Sequence, residues 1–203
     1  DLDPLSLKWG TGEIPVGGIQ VGLVDHYVAS TNYDPYNLYV DDLAYAAPDI
    51  TWATATRGSW SAQTLLLHLD NGDTARLERF DSEGLGLRLV TEEPAPYLKI
   101  AFASAEGEAI FGLGENFDAV DNRGTLRPMQ READASLESG YTEVHVPVPF
   151  FVSSGGWGVG LLTDWPLVVD VANRDAGLVT AVVATEDALD IVLFGSHDLD
   201  QPA

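Results

Sequence analysis

Leu65-Leu-Leu-His-Leu69, Asp70-Asn-Gly-Asp73 and Ala75-Arg-Leu-Glu-Arg-Phe80 follow one another almost without a break. The two flanking runs alternate at a period of two, which places every second side chain on one face of a strand. Asn71-Gly72 supplies the positive φ angles of a tight turn, so the stretch predicts a β-hairpin. Outward from it the same period recurs. Leu85-Gly-Leu-Arg-Leu-Val90, Tyr97-Leu-Lys-Ile-Ala-Phe102, Val168-Val-Asp-Val-Ala172, Leu178-Val-Thr-Ala-Val-Val183 and Leu189-Asp-Ile-Val-Leu-Phe194 all read as strands, as do Ile19-Gln-Val-Gly-Leu-Val24 and Leu38-Tyr-Val40. Short strands punctuated by Gly, Pro and Asn predict an all-β fold, an antiparallel two-sheet β-sandwich. No segment sustains helical periodicity over three turns, and the polar stretch Arg131 to Ser139 reads as a loop.

Composition narrows the class. The chain has 203 residues, room for one domain with a real core. With 32 acidic and 10 basic residues its formal charge is −22. Such a surface repels nucleic-acid phosphate and anionic lipid, so neither nucleic acid nor membrane is expected as a partner. Neutral sugars are not repelled. The acid excess fits solubility or an extracellular or saline habitat, with a secreted or periplasmic location slightly favoured. There is no cysteine, which excludes disulfides, thiolate metal sites and a cysteine nucleophile. The opening Asp1, without methionine, fits a processed or excised chain. Val144 to Thr163 lacks Asp, Glu, Lys and Arg, but its prolines and glycines break a helix. It reads as two buried strands joined by a glycine turn rather than a membrane span. Pro147 and Pro149, two apart, suit an edge strand. Phe150 and Phe151 then fall on opposite faces, one in the core and one free to meet a neighbouring domain.

Two glycine-aromatic segments stand out, Phe111-Gly-Leu-Gly-Glu-Asn-Phe-Asp118 and Val146-Pro-Val-Pro-Phe-Phe-Val-Ser-Ser-Gly-Gly-Trp-Gly-Val-Gly160. Together, in this order, they resemble the N-terminal, galactose mutarotase-like β-sandwich of glycoside hydrolase family 31, the α-glucosidase and α-xylosidase family. Gly155 departs from that pattern, which usually has Arg there. The resemblance implies a sandwich over residues 1–195, with residues 196–203 starting a linker to a catalytic (β/α)8 barrel. Such a barrel takes about 250 residues and would carry both catalytic aspartates, so no catalytic residue is expected in this chain. The parent protein would be a retaining hydrolase of α-linked sugars. This piece would supply scaffold and a substrate-pocket loop, with a carbohydrate substrate and the barrel as its partners and no cofactor.

The long polar loop from Asn116 to Asp134 is where that pocket loop would lie. The family often places a sugar-binding Asp after Pro-x-x-x-Arg. Pro128-Met-Gln-Arg-Glu-Ala-Asp134 matches loosely and leaves Gln130, Arg131, Glu132 and Asp134 as candidates for the substrate-binding position. Glu115 is expected to accept backbone N–H groups and pin this loop. Asp118, Asp121 and Asn122 bear oxygens, but their spacing is not that of a calcium loop, and no metal is expected. An alternative is a stand-alone carbohydrate-binding module, with Trp9, Trp52, Trp60, Trp157 and Trp165 as stacking faces. Core tryptophan is the commoner fate. A third reading, a mutarotase-like enzyme, needs a Glu converging with one of His26, His68, His145 or His197.

Overall fold

The computed structural model describes residues 5–9, 12–23, 51–61, 63–92, 95, 97–116, 118–129, 146–165, 167–184 and 188–195. Among the described residues there are fourteen strands: β1 (Leu5–Trp9), β2 (Gly12–Leu23), β3 (Thr51–Ser61), β4 (Thr64–Leu69), β5 (Thr74–Asp81), β6 (Leu85–Thr91), β7 (Tyr97–Ala103), β8 (Ile110–Gly112), β9 (Thr125–Met129), β10 (Phe150–Ser153), β11 (Trp157–Leu162), β12 (Leu167–Val171), β13 (Leu178–Ala184) and β14 (Ala188–Gly195). There is no helix among the described residues. Among them, too, no helix is long and apolar enough to cross a membrane.

One sheet runs β3-β2-β7-β13-β12-β9, with β1 also on β2. The other runs β8-β10-β11-β14-β6-β5-β4-β3. Strand β3 serves both. Its first half pairs with β2, and after a register shift between Ala55 and Arg57 its second half pairs with β4. A bulge increases local twist and bends the strand, which is how one strand turns the corner between two layers. The fold is therefore the expected all-β antiparallel sandwich.

The core lies between the layers. Leu65, Leu67, Leu69, Ala75, Leu77, Leu87, Leu89, Leu189, Ile191 and Leu193 point inward from one sheet. Ile19, Val21, Leu98, Ile100, Phe102, Val169, Val171, Val179, Ala181 and Val183 face them from the other. At one end three rings close the core. Phe102 on β7 stacks on Trp157 at 5.9 Å and meets Phe151 edge-on at 6.1 Å, and Phe151 meets Trp157 at 5.9 Å. Edge-to-face and offset pairs at such distances contribute beyond their buried area.

Several expectations need correction. The β4–β5 hairpin forms as expected, but of Asn71 and Gly72 only Gly72 has positive φ (96°). Gly72 N–H donates to the Leu69 carbonyl (3.2 Å) and Leu69 N–H to the Asp73 carbonyl (2.9 Å). That is a three-residue connection with a glycine bulge, and the Asn71 side chain bonds Asp73 instead of turning left-handed. The proline pair does not mark an edge. Pro147 and Pro149 precede β10, and β10 lies between β8 and β11. Pro128 instead lies in β9, the last strand of its sheet among the described residues, a position that suits proline. Of the two phenylalanines Phe151 is the core residue, fully buried, and Phe150 is exposed beside Phe194. Leu38 to Val40, Arg131 to Ser139, His26, His145 and His197, and the expected linker 196–203, lie outside the described residues.

Candidate functional site

The rim between β8 and β9 is built from a left-handed turn. Gly112, Leu113 and Gly114 have φ of 106°, 64° and 84°. Glycine takes this conformation freely. Leu113 does not, and the strain is of order 1–2 kcal/mol. Its side chain is completely buried, which offsets that cost. A Cβ at Gly112 would strike the Phe150 carbonyl and the backbone of Phe151, so only glycine lets β8 lie this close to β10. Asn116 then folds back. Its amide nitrogen reaches the carbonyls of Gly112 (3.3 Å), Leu113 (3.2 Å) and Gly114 (3.5 Å). The pinning expected of Glu115 falls to Asn116, while the Glu115 side chain is exposed.

The rest of the rim is tied down by three polar residues. Asp121 accepts from the backbone N–H of Ile110 and of Arg123, both at 3.0 Å. Asn122, almost fully buried, donates to the carbonyls of Ile110 and Gly112. Arg127 lies on the inner face of β9 opposite Val169 and is 1% exposed. Its Nε donates to Asn122 Oδ1 (2.8 Å) and its Nη2 to Asp118 Oδ1 (2.9 Å). The Arg127 guanidinium beside Asp118 holds that carboxyl below its ordinary value, against a smaller opposing effect of burial. Asp118, Asp121 and Asn122 thus make bonds within the rim. No group of three or more His, Cys, Asp or Glu residues suited to a metal occurs among the described residues. The expectation of a loop running unbroken from residue 116 to 134 is corrected here, because its middle is β9.

A second cluster sits at the same end of the sandwich. Glu108, buried, accepts from Ala105 N–H (2.6 Å), Trp157 Nε1 (2.6 Å) and the Ser153 hydroxyl. Burial alone would push its carboxyl up. The hydrogen bonds from Ser153, Ala105, Ser104 and Trp157 outweigh that and hold it below its ordinary value. Arg123 bridges the neighbouring turns through Ser104 Oγ, the Glu108 carbonyl and the Ala176 carbonyl. A Cβ on Gly155 would run into the Glu108 carboxylate and lie 3.2 Å from Ser153 Oγ. Glycine stands there because the carboxylate occupies the space. Over this cluster lies an open concavity of about 680 Å³, floored by Ser104, Gly107, Ser154 and Gly155. An ionised carboxylate saturated with donors is a clamp, not a general acid.

Gln130, Arg131, Glu132 and Asp134 lie outside the described residues, just beyond the end of β9. Of the histidines only His68 is described. It is half-buried on β4, next to inward-facing Leu67 and Leu69 and so on the outer face. The tryptophans divide. Trp157 is core, Trp52 lies under the Lys99 ammonium at 3.9 Å, and Trp60 and Trp165 are 60% and 40% exposed. Arg127 and Glu108 escaped sequence reading, and Asn122 was noticed only for its oxygen, not as a clamp. The signal for Arg127 was weak, a charged residue beside a proline in a five-residue run.

Comparison with solved structures places this geometry. A GH31 family sulfoquinovosidase from E. rectale, solved with an aza-sugar inhibitor, matches 92% of this chain with a TM-score of 0.60 and 16% identity. The fold is one shared with family 31 glycoside hydrolases. An uncharacterized protein of Listeria monocytogenes EGD-e, solved with α- and β-D-glucose, magnesium and calcium, matches 70% of this chain with a TM-score of 0.55 and 13% identity. This chain spans 30% and 20% of those two proteins. No protein-family model matches the sequence. No curated protein matches it either.

Proposed function

We propose that this chain is the β-sandwich domain of a family 31 α-glycosidase. It stands beside a catalytic barrel and contributes scaffold and a substrate-pocket loop. The observation that carries the reading is the fold match, which takes in nearly all of this chain and under a third of a GH31 enzyme. The glycine-aromatic segments support it. They form the left-handed turn and the β10–β11 turn that hold the rim, and residues 130–134 follow that rim directly. The carboxylates described in detail agree with a non-catalytic role. Asp118 is neutralised by Arg127 and Glu108 is saturated by donors. In this reading retaining hydrolysis of an α-linked sugar uses two aspartates of the barrel, set roughly 5 Å apart, and Gln130, Arg131, Glu132 or Asp134 contacts the sugar. The net charge of −22 supports a neutral carbohydrate over nucleic acid or an anionic membrane as partner. Phe150, Leu162 and Trp165, all exposed, are the surface offered to a neighbouring domain.

The test compares two proteins on an aryl α-glycoside. The full-length protein that carries this domain is expected to turn it over, and the 203-residue chain alone is expected to be inert. Turnover by the short chain, lost when one of its own aspartates becomes asparagine, contradicts the reading. A stand-alone carbohydrate-binding module is favoured by one observation, the exposure of Trp60 and Trp165. Saturable quenching of intrinsic fluorescence by oligosaccharides, lost in Trp60→Ala or Trp165→Ala, would decide for it.

A further inference from the structure

We propose that the outer face of β5, β6, β14, β11 and β10 is a docking surface, and that its occupant is the catalytic domain of the same polypeptide. This inference rests on the functional reading above and assigns the face through which the two units pack. The outer face of a solvated antiparallel sheet calls for polar residues. Here one cross-strand row reads Phe80, Gly86, Val192, Gly160 and Phe150, five strands without a polar side chain. The row spans four strand spacings, about 19 Å. The glycines make room for the rings. A Cβ on Gly86 would strike the Phe80 ring, and one on Gly160 would lie 3.7 Å from the Phe150 ring. In the next row Phe194 stands opposite Gly158, and its ring meets Phe150 edge-on at 5.8 Å. On the other side Leu162 is 58% exposed, and Trp165 follows it three residues on. Charge is kept to the border. The chain has 32 acidic residues, yet the central row holds none. Arg88, opposite Glu78, binds Asp190 through two bonds of 2.6 and 2.7 Å. An apolar centre with a charged, hydrated border is the anatomy of a protein interface. The same charge selects the occupant. A second copy would bring −22 against −22. A domain on the same polypeptide is held at a high effective concentration by its linker. This chain spans 30% of the GH31 enzyme whose fold it shares, so most of such a polypeptide lies in other units.

The experiment places single cysteines in the full-length protein, since this chain has none of its own. Leu162→Cys, Phe150→Cys and Trp60→Cys are treated with a maleimide, and the modified peptide is followed by mass spectrometry. Each rate is divided by that of the same variant in urea. Trp60 is the control, 60% exposed against 58% for Leu162, and it stands opposite inward-facing Leu65, outside this face. The thiols at 162 and 150 are expected to react about tenfold or more slowly than the thiol at 60, because an interface centre excludes water. That protection is expected to be independent of protein concentration. Trp165→Cys serves if Leu162→Cys does not fold. Rates equal to the control overturn the inference, and so does protection lost on dilution, which would mean a second copy. Turnover of an aryl α-glycoside by the wild type, measured alongside, keeps the two readings apart. Turnover with unprotected thiols removes the docking face alone. Absence of turnover removes the functional reading, and with it the identity of the occupant.

Discussion

Glu108 shows how one side chain holds two turns. It gathers donors from the β7–β8 connection and from β10–β11, in a space that exists only because residue 155 has no Cβ. Glu108→Gln places an amide N–H among those donors. It is expected to destabilise the fold by about 1–3 kcal/mol, measurable by urea unfolding at pH 7. Gly155→Arg, the residue usual in the family pattern, is expected to act in the same direction here unless Glu108 is also changed. A double-mutant cycle with Glu108→Ala would show that coupling. The folded-state values of Glu108 and Asp118 both lie below the ordinary ones of 4.5 and 3.8. In acid the native state therefore binds fewer protons than the unfolded chain. Their contribution is complete above about pH 5 and drains away as pH falls through the folded values. Asp170 works in the opposite sense, because burial raises its value. Stability measured from pH 7 down to pH 3 is expected to fall, and Glu108→Gln and Asp118→Asn are each expected to flatten that fall. An unchanged slope in both would contradict the clamp.

Among the elements, the β4–β5 hairpin and the three-ring cluster carry the clearest mechanical expectations. A Cβ at Gly72 meets nothing within 4 Å, so Gly72→Ala tests conformation alone. With φ at 96° it is expected to lower stability by about 1 kcal/mol or more. Phe151→Ala removes the middle of the ring cluster and is expected to cost about 3–5 kcal/mol, while Phe150→Ala, on the outer face, is expected to cost far less. Calorimetry of the pair reads the difference. These strands were legible because their alternation was clean. Leu65, Leu67 and Leu69 point in, and His68 and Leu66 do not. Strand β9 was not legible, since its inward residue is an arginine and its next a proline, both of which argue against a strand in sequence. Only the tertiary partners Asp118 and Asn122 make an inward Arg127 tenable. Strand β3 was missed for a related reason, as its bulge breaks the period just where it changes sheets. The rim was visible as two glycine-aromatic segments. What holds it, through Asn116, Asn122 and Glu108, depends on approaches between residues far apart in sequence.

For the whole molecule the dominant considerations are the charge and the proposed division of labour. A chain at −22 repels itself, so its stability at pH 7 is expected to rise as salt goes from about 0.01 to about 0.15 M and the screening length shortens. A melting temperature that fell over that range would mean that ion pairs such as Arg127–Asp118 and Arg88–Asp190 outweigh the repulsion. The division of labour is the larger claim: a sandwich fixes the rim while bond-breaking carboxylates lie elsewhere. The most direct measurement is KM and kcat of the full-length protein on an aryl α-glycoside with alanine placed singly at Gln130, Arg131, Glu132 and Asp134. At least one substitution is predicted to raise KM about tenfold or more with kcat largely retained. KM unchanged in all four would contradict the account.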